Sequence, residues 1–279
     1  MINLKEQSLK IITSWKDYKV DPRYFVLLFL FSFTLAGMVY LGFFQSWKSI
    51  LTGIVVSVTT EVVLTRLVHK VWRFPLSAVI TGTGVGLLIS SPYPWIYALT
   101  SFLSIVIKMF VRFKKGHIFN PNNIAVVLVL FTLNQYAVST PKQWTNGFEI
   151  MMVILLLGIF ATYMANRLDV VLSFLGSFTL FGLLRHYWLG APMYAALGPL
   201  MGASLQLFAF FMITDPKSTP STRRERILFA FLVGALDAIF RIYRIPNPQF
   251  YALSLISLLT IIPFRIWIAK RINKTETGI

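Results

Sequence analysis

Ten runs of apolar residues, between 15 and 22 long, leave this chain few folds to choose from. They fall at about 24–44, 50–68, 76–91, 95–111, 119–133, 148–165, 170–188, 192–213, 227–242 and 249–268. About 20 helical residues cross a hydrocarbon core of ~30 Å, so such runs read as membrane spans. The spans alternate with short polar loops, and the sequence is 56% hydrophobic and 13% charged. A soluble core of the usual amphipathic kind would show a period of two or of 3.6 instead.

Charge supplies an independent check. Of the 26 Lys and Arg residues, 21 fall on the side that carries the amino terminus if the chain crosses ten times. Only Lys48, Lys142, Arg185, Arg241 and Arg244 fall on the other. The positive-inside rule then places both termini in the cytoplasm of a multi-pass plasma (inner) membrane protein. The net charge of +16 is thereby accounted for by topology and anionic lipid, and no nucleic acid partner is expected. The chain has no cysteine, which excludes disulfides and cysteine-held iron–sulfur or zinc sites within it. The three histidines are far apart in sequence, and no metal site is expected.

The runs repeat. Residues 116–130, GHIFNPNNIAVVLVL, and residues 240–255, FRIYRIPNPQFYALSL, each place an Asn-Pro pair before an apolar run, 127 residues apart. LLISSPYP at 87–94 resembles FFMITDPKSTP at 210–220, with Pro92 and Pro216 124 residues apart. A repeat of five spans is odd in number, so the second copy must be inverted relative to the first. The expected architecture is all-α and integral to the membrane, about ten transmembrane helices in two inverted five-helix repeats. Residues 1–22 read as a cytoplasmic amphipathic lead, 23–269 as one transmembrane domain (repeat one about 23–134, repeat two about 147–269), and 270–279 as a cytoplasmic tail. The Pro92 turn then lies outside and the Pro216 turn inside.

Several residues carry potential chemistry. Glycine alternates in the third run (Gly82, Gly84, Gly86) and recurs in the eighth (Gly198, Gly202). Such segments either pack closely or break, and matched broken segments in inverted halves mark a central site. The Pro92 and Pro216 turns are therefore expected to flank one cavity, with the Asn120-Pro121 and Asn247-Pro248 helix starts close by. Asn120 and Asn247 either cap their helices or help helix starts, with Asn123 nearby, to hold an anionic or carbonyl-rich ligand. Thr214 and Asp215 form either a plain cytoplasmic turn or a ligand-facing loop. Glu61 and Asp237 are acids inside spans, where charge is costly and points to function. Both are candidates for an ion relay. Asp237 has Arg241 four residues on, while Glu61 has no base at helical spacing.

GHIFNPNN and FFMITDPKSTP, about 95 residues apart, resemble the R-x-IFNP region and FMxTDP turn of two respiratory membrane proteins. These are NqrB, from the sodium-pumping NADH:quinone oxidoreductase, and RnfD, from the Rnf complex. The resemblance covers roughly 79–264, and the chain is similar to compact relatives found in enediyne biosynthesis clusters. It implies a fold akin to urea and ammonium channels, flavin (FMN or riboflavin) in the membrane and redox partner subunits, with quinone a candidate partner and the electron donor and acceptor left open. The chain would then be an electron-transfer subunit, with ion translocation as a further expectation, rather than a stand-alone enzyme. The alternative is a small-solute channel or transporter of the same architecture without redox activity. Thr214 and Asp215 would meet the flavin ring or ribityl chain. In that family FMN is attached to a Thr closing a D-x-x-[ST]-[GA]-A-T motif. The comparable loop here, Tyr136-Ala137-Val138-Ser139-Thr140-Pro141, keeps Ser139 and Thr140 but lacks the Asp and the Gly-Ala. Flavin is therefore expected to be noncovalent, held mainly by Asp215 and Asn120, with attachment to Thr140 the alternative.

Overall fold

The computed structural model describes residues 22–39, 46–72, 74–113, 116–139 and 148–276. The amphipathic lead, Thr140 and the end of the tail lie outside the described residues. The first half holds α1 (Pro22–Val39), α2 (Trp47–His69), α3 (Leu76–Leu88), α4 (Pro94–Phe110) and α5 (Pro121–Thr132). The second holds α6 (Phe148–Met164), α7 (Leu168–Leu189), α8 (Met193–Leu197), α9 (Ala203–Leu207), α10 (Arg223–Ile242) and α11 (Pro248–Glu276). Two short ladders complete it. β1 (Ile89–Ser90) pairs antiparallel with β4 (Val138–Ser139), and β2 (Arg112–Phe113) with β3 (Gly116–His117).

Local sequence sets the helix ends. Ser46 caps α2 by accepting from the Ser49 amide at 3.2 Å, and Pro94 and Pro121 open α4 and α5 where the missing N–H costs nothing. Gly190 ends α7 at φ 68°, the left-handed conformation that glycine adopts freely. Among the described residues, α2 and α7 are long and apolar enough to cross a membrane, and α2 with 23 residues spans about 35 Å at ~1.5 Å per residue. The bent pair Met193–Met201 and Ser204–Met212 makes a third if it counts as one span. α5, with 12 residues, reaches only about 18 Å.

The two glycine-rich runs part company here. α3 continues unbroken through Gly82, Gly84 and Gly86 as far as Leu88. A Cβ on Gly82 would lie 2.5 Å from Gly53 O and Ser57 Oγ of α2, so close approach of the two backbones replaces what helix propensity lacks. The eighth run does break. A 3₁₀ turn (Gly198–Met201) follows α8, Gly202 is extended at φ −86° and ψ 130°, and the axis bends by 59° before a π turn (Phe208–Met212). Pro199 at the start of the 3₁₀ turn cannot donate to the preceding ladder, which opens the break.

Packing follows the same order in both halves. α2 lies against α3 and α4, α4 against α5, and α1 against α3. In the second half α7 lies against α10, α10 against α11, and α6 against the broken segment. Ser173 and Ser177 of α7 donate to the carbonyls of Ile227 and Phe231 of α10 at 2.7 and 2.8 Å. The main core joins β1, α5, α7, α10, α11 and the π turn around Phe174, Phe208, Phe229 and Phe250.

Candidate functional site

The first turn of α5 is the junction of the molecule. Asn120 is extended at φ −65°, its Oδ1 accepts from the Asn123 amide at 3.2 Å, and its Nδ2 donates to Met212 O at 2.9 Å. One side chain thus caps α5 and takes up a carbonyl at the end of the π turn. Pro121 occupies the first helical position. Asn123 is 1% exposed, and its Nδ2 donates to Phe250 O at 2.9 Å and Ser254 Oγ at 2.8 Å of α11. Asn123 and Phe250 are 127 residues apart, the offset of the Asn-Pro repeat, so equivalent positions of the two copies touch each other. Asn122 Nδ2 donates to Thr81 O of α3 at 3.3 Å. The Oδ1 atoms of Asn122 and Asn123 are buried without a partner among the described residues.

The Thr214-Asp215-Pro216 turn docks beside this junction. His117 N donates to Lys217 O at 3.0 Å. Thr214 Oγ1 returns to Phe210 O at 2.6 Å. Asp215 Oδ1 accepts from the Lys217 amide at 3.2 Å and Oδ2 from Ser218 Oγ at 2.8 Å, while its carbonyl accepts from Thr219 Oγ1. Desolvation pushes the Asp215 carboxyl above the usual carboxylate range, opposed by Ser218, Lys217 and Arg167. Both carboxylate oxygens serve the turn itself, so Asp215 shapes the loop rather than reaching out of it.

Asn247 differs from Asn120. Its φ is +55°, it is half-buried, and its carbonyl accepts from Phe250 N at 3.2 Å. The left-handed conformation removes it from the extended geometry of a cap. The Pro92 turn lies at the other end of α5. Ser91 Oγ donates to Tyr136 O at 2.7 Å, and Ile89 pairs with Ser139. The structure therefore brings Asn120, Pro121, Asn123, Thr214 and Asp215 together, and seats the Pro92 turn beyond the opposite end of the helix.

Glu61 and Asp237 are both paired. Asp237, 0% exposed, receives Arg241 Nε at 2.7 Å and Nη2 at 3.2 Å, and that guanidinium lies 4.9 Å from the Phe178 ring centre. Glu61 finds its base on another helix: Lys108 Nζ lies 2.6 Å from Oε2. Sequence reading missed this pair because its members are 47 residues apart and lie on different helices. It also missed an apolar groove of about 200 Å³ between α7 and α10, where Phe181, Arg185 and Trp188 meet Ala238 and Ile242.

Apolar helices, buried ion pairs between them and a junction of helix heads define an all-helical membrane protein. Residues 142–264 match the model of the NQR2, RnfD, RnfE family. No curated protein matches the chain.

Proposed function

We propose that this chain is a membrane subunit of an electron-transport system related to those of the NQR2, RnfD, RnfE family, working with redox partner subunits and holding a flavin noncovalently. The observation that carries the reading is the junction itself. The helix head that bears IFNPNN meets the TDPKST turn and the first turn of α11, so the motifs that resemble the family converge in space. The family match over residues 142–264 supports it from the second half. The contact at the repeat offset and the matched packing order of the halves support a two-fold repeat; the inverted arrangement and the cytoplasmic termini rest on the odd number of spans per repeat and on the charge count.

The side chains present suit a flavin. Asn122 and Asn123 each have a buried Oδ1 at the α5 head that is unpartnered among the described residues, and an acceptor of this kind satisfies a ring N–H or a ribityl hydroxyl. Asn120 and Asp215 hold the frame. A bound flavin supplies one- and two-electron transfer, while the protein supplies orientation and electrostatics. Lipid surrounds the helices, and quinone is the candidate acceptor. The test is purification in mild detergent followed by denaturation. Flavin released at near-stoichiometric yield, and lost in Asn122→Ala/Asn123→Ala, supports the reading. A folded protein that neither carries nor rebinds FMN or riboflavin sinks it and favours a channel without redox activity.

A further inference from the structure

Where α7 meets α10, two guanidiniums share one carboxylate. Arg241 takes both oxygens of Asp237, at 2.7 and 3.2 Å. Arg185 of α7 stands close enough to feel both of those charges. Among the described residues, no acid lies within ion-pair reach of it. Arg185 is 8% exposed, its Nη2 donates to Ala196 O at 3.2 Å, and its Nε is buried without a partner among the described residues. The carbonyl takes one edge of the fork and none of the charge. A buried cation ordinarily has a counter-ion, because leaving it unpaired in a low dielectric is costly.

Arg185 also lines the groove of about 200 Å³ between the two helices. Phe181, Leu184 and Trp188 of α7 meet Ala235, Ala238 and Ile242 of α10 there. These positions are spaced by three, four and seven, so each helix presents one face. The two alanines opposite bulky side chains leave the space. The rim opens outward, with Trp188 79% and Ile242 49% exposed. Pockets that enclose a drug-sized ligand run to roughly 300–1,000 Å³, so this groove suits a narrow chain better than a ring system. Tyr187 and Trp188 are exposed near the end of α7 that Gly190 closes, as aromatic residues are where a membrane meets water. Arg185 lies about one turn inward, within reach of a headgroup for an arginine that extends its stem.

We propose that the α7–α10 groove binds an anionic phospholipid, one acyl chain lying along Ala235 and Ala238 and the phosphate accepting from Arg185. The lipid supplies the negative charge that this cluster lacks, and a guanidinium fork matches phosphate geometry. A free phosphate carries the charge but leaves the groove unfilled. A quinone tail fills the groove but brings no charge. The first half has no counterpart, because Lys108 there is balanced one to one by Glu61. The site depends on the chain lying in a membrane and not on a bound flavin, so it stands or falls apart from the reading above.

The experiment is thermal unfolding of delipidated protein in a neutral detergent, titrated with dioleoyl phosphatidylglycerol, dioleoyl phosphatidylcholine, inorganic phosphate or a long-tailed quinone. Phosphatidylglycerol should raise the wild-type midpoint by roughly 5 °C, saturably, as a ligand well above its Kd does. The other three should leave it within about 1 °C by the same relation. Arg185→Gln should abolish the rise, while Arg185→Lys, which keeps the charge but not the fork, should keep it with a several-fold higher half-saturation. Ala235→Leu fills the groove without touching the charge and should also abolish the rise, so it decides the matter if Arg185→Gln does not fold. An equal rise with phosphatidylcholine overturns the proposal, as does a rise with phosphate or the quinone in place of phosphatidylglycerol. A phosphatidylglycerol effect that persists in Ala235→Leu or in Arg185→Gln overturns it too.

Discussion

Removing the Asn123 amide is the sharpest test of how the two halves are joined. Asn123→Ala deletes two hydrogen bonds, to Phe250 O at 2.9 Å and to Ser254 Oγ at 2.8 Å, from a side chain 1% exposed. Interhelical polar contacts in membranes average about 0.6 kcal/mol, with a maximum of ~1.7. Two of them give roughly 1–2 kcal/mol. The groups left behind soften the loss, since Phe250 O lies within the α11 ladder and Ser254 Oγ can turn back to that same carbonyl, four residues away. Each kcal/mol moves the midpoint of a domain this size by about 2–4 °C, so a fall of roughly 2–8 °C is expected in detergent. Ser254→Ala alone should cost less. The coupling between the two sites should be at least about 0.5 kcal/mol in a double-mutant cycle, beyond the ~0.3 at which independent sites add. Additivity within that limit would mean that α5 and α11 do not meet through these residues, and the proposed contact between repeats would go with it.

Four further outcomes are expected. Asn120→Ala removes the α5 cap and the bond to Met212 O and should cost about 1–2 kcal/mol, while Asn247→Gly, at φ +55°, should be neutral or stabilising; equal losses at both would contradict the asymmetry. Asp237→Asn should destabilise by about 3–5 kcal/mol because it strands the Arg241 charge, measured by the same melts, and an unchanged midpoint would place that pair in water. On a denaturing gel the protein should show no fluorescent flavin band; a band that survives denaturation and vanishes in Thr140→Ala would establish covalent attachment instead. A reporter fused after Ile268 should read as cytoplasmic, and an exported signal would end the inverted-repeat proposal.

Much of the local architecture was legible in the residues. Asn120-Pro121, Pro94 and Gly190 act on their own dihedrals and orphan backbone groups, so they mark the ends of α5, α4 and α7 without help from distant parts of the chain. The repeat offset, too, was visible, and it reappears as the spacing of Asn123 and Phe250. What sequence did not determine was the choice among long-range partners. Gly82, Gly84 and Gly86 suited a break as well as a helix, and contact with α2 decided for the helix. Asn247 matches Asn120 in sequence yet adopts a left-handed backbone, because a residue's neighbours permit several conformations and packing selects one. Glu61 had no base within helical reach; the base came from α4, 47 positions on. A buried charge must find a partner, but which one it finds depends on how the helices are brought side by side, and only the tertiary structure holds that information.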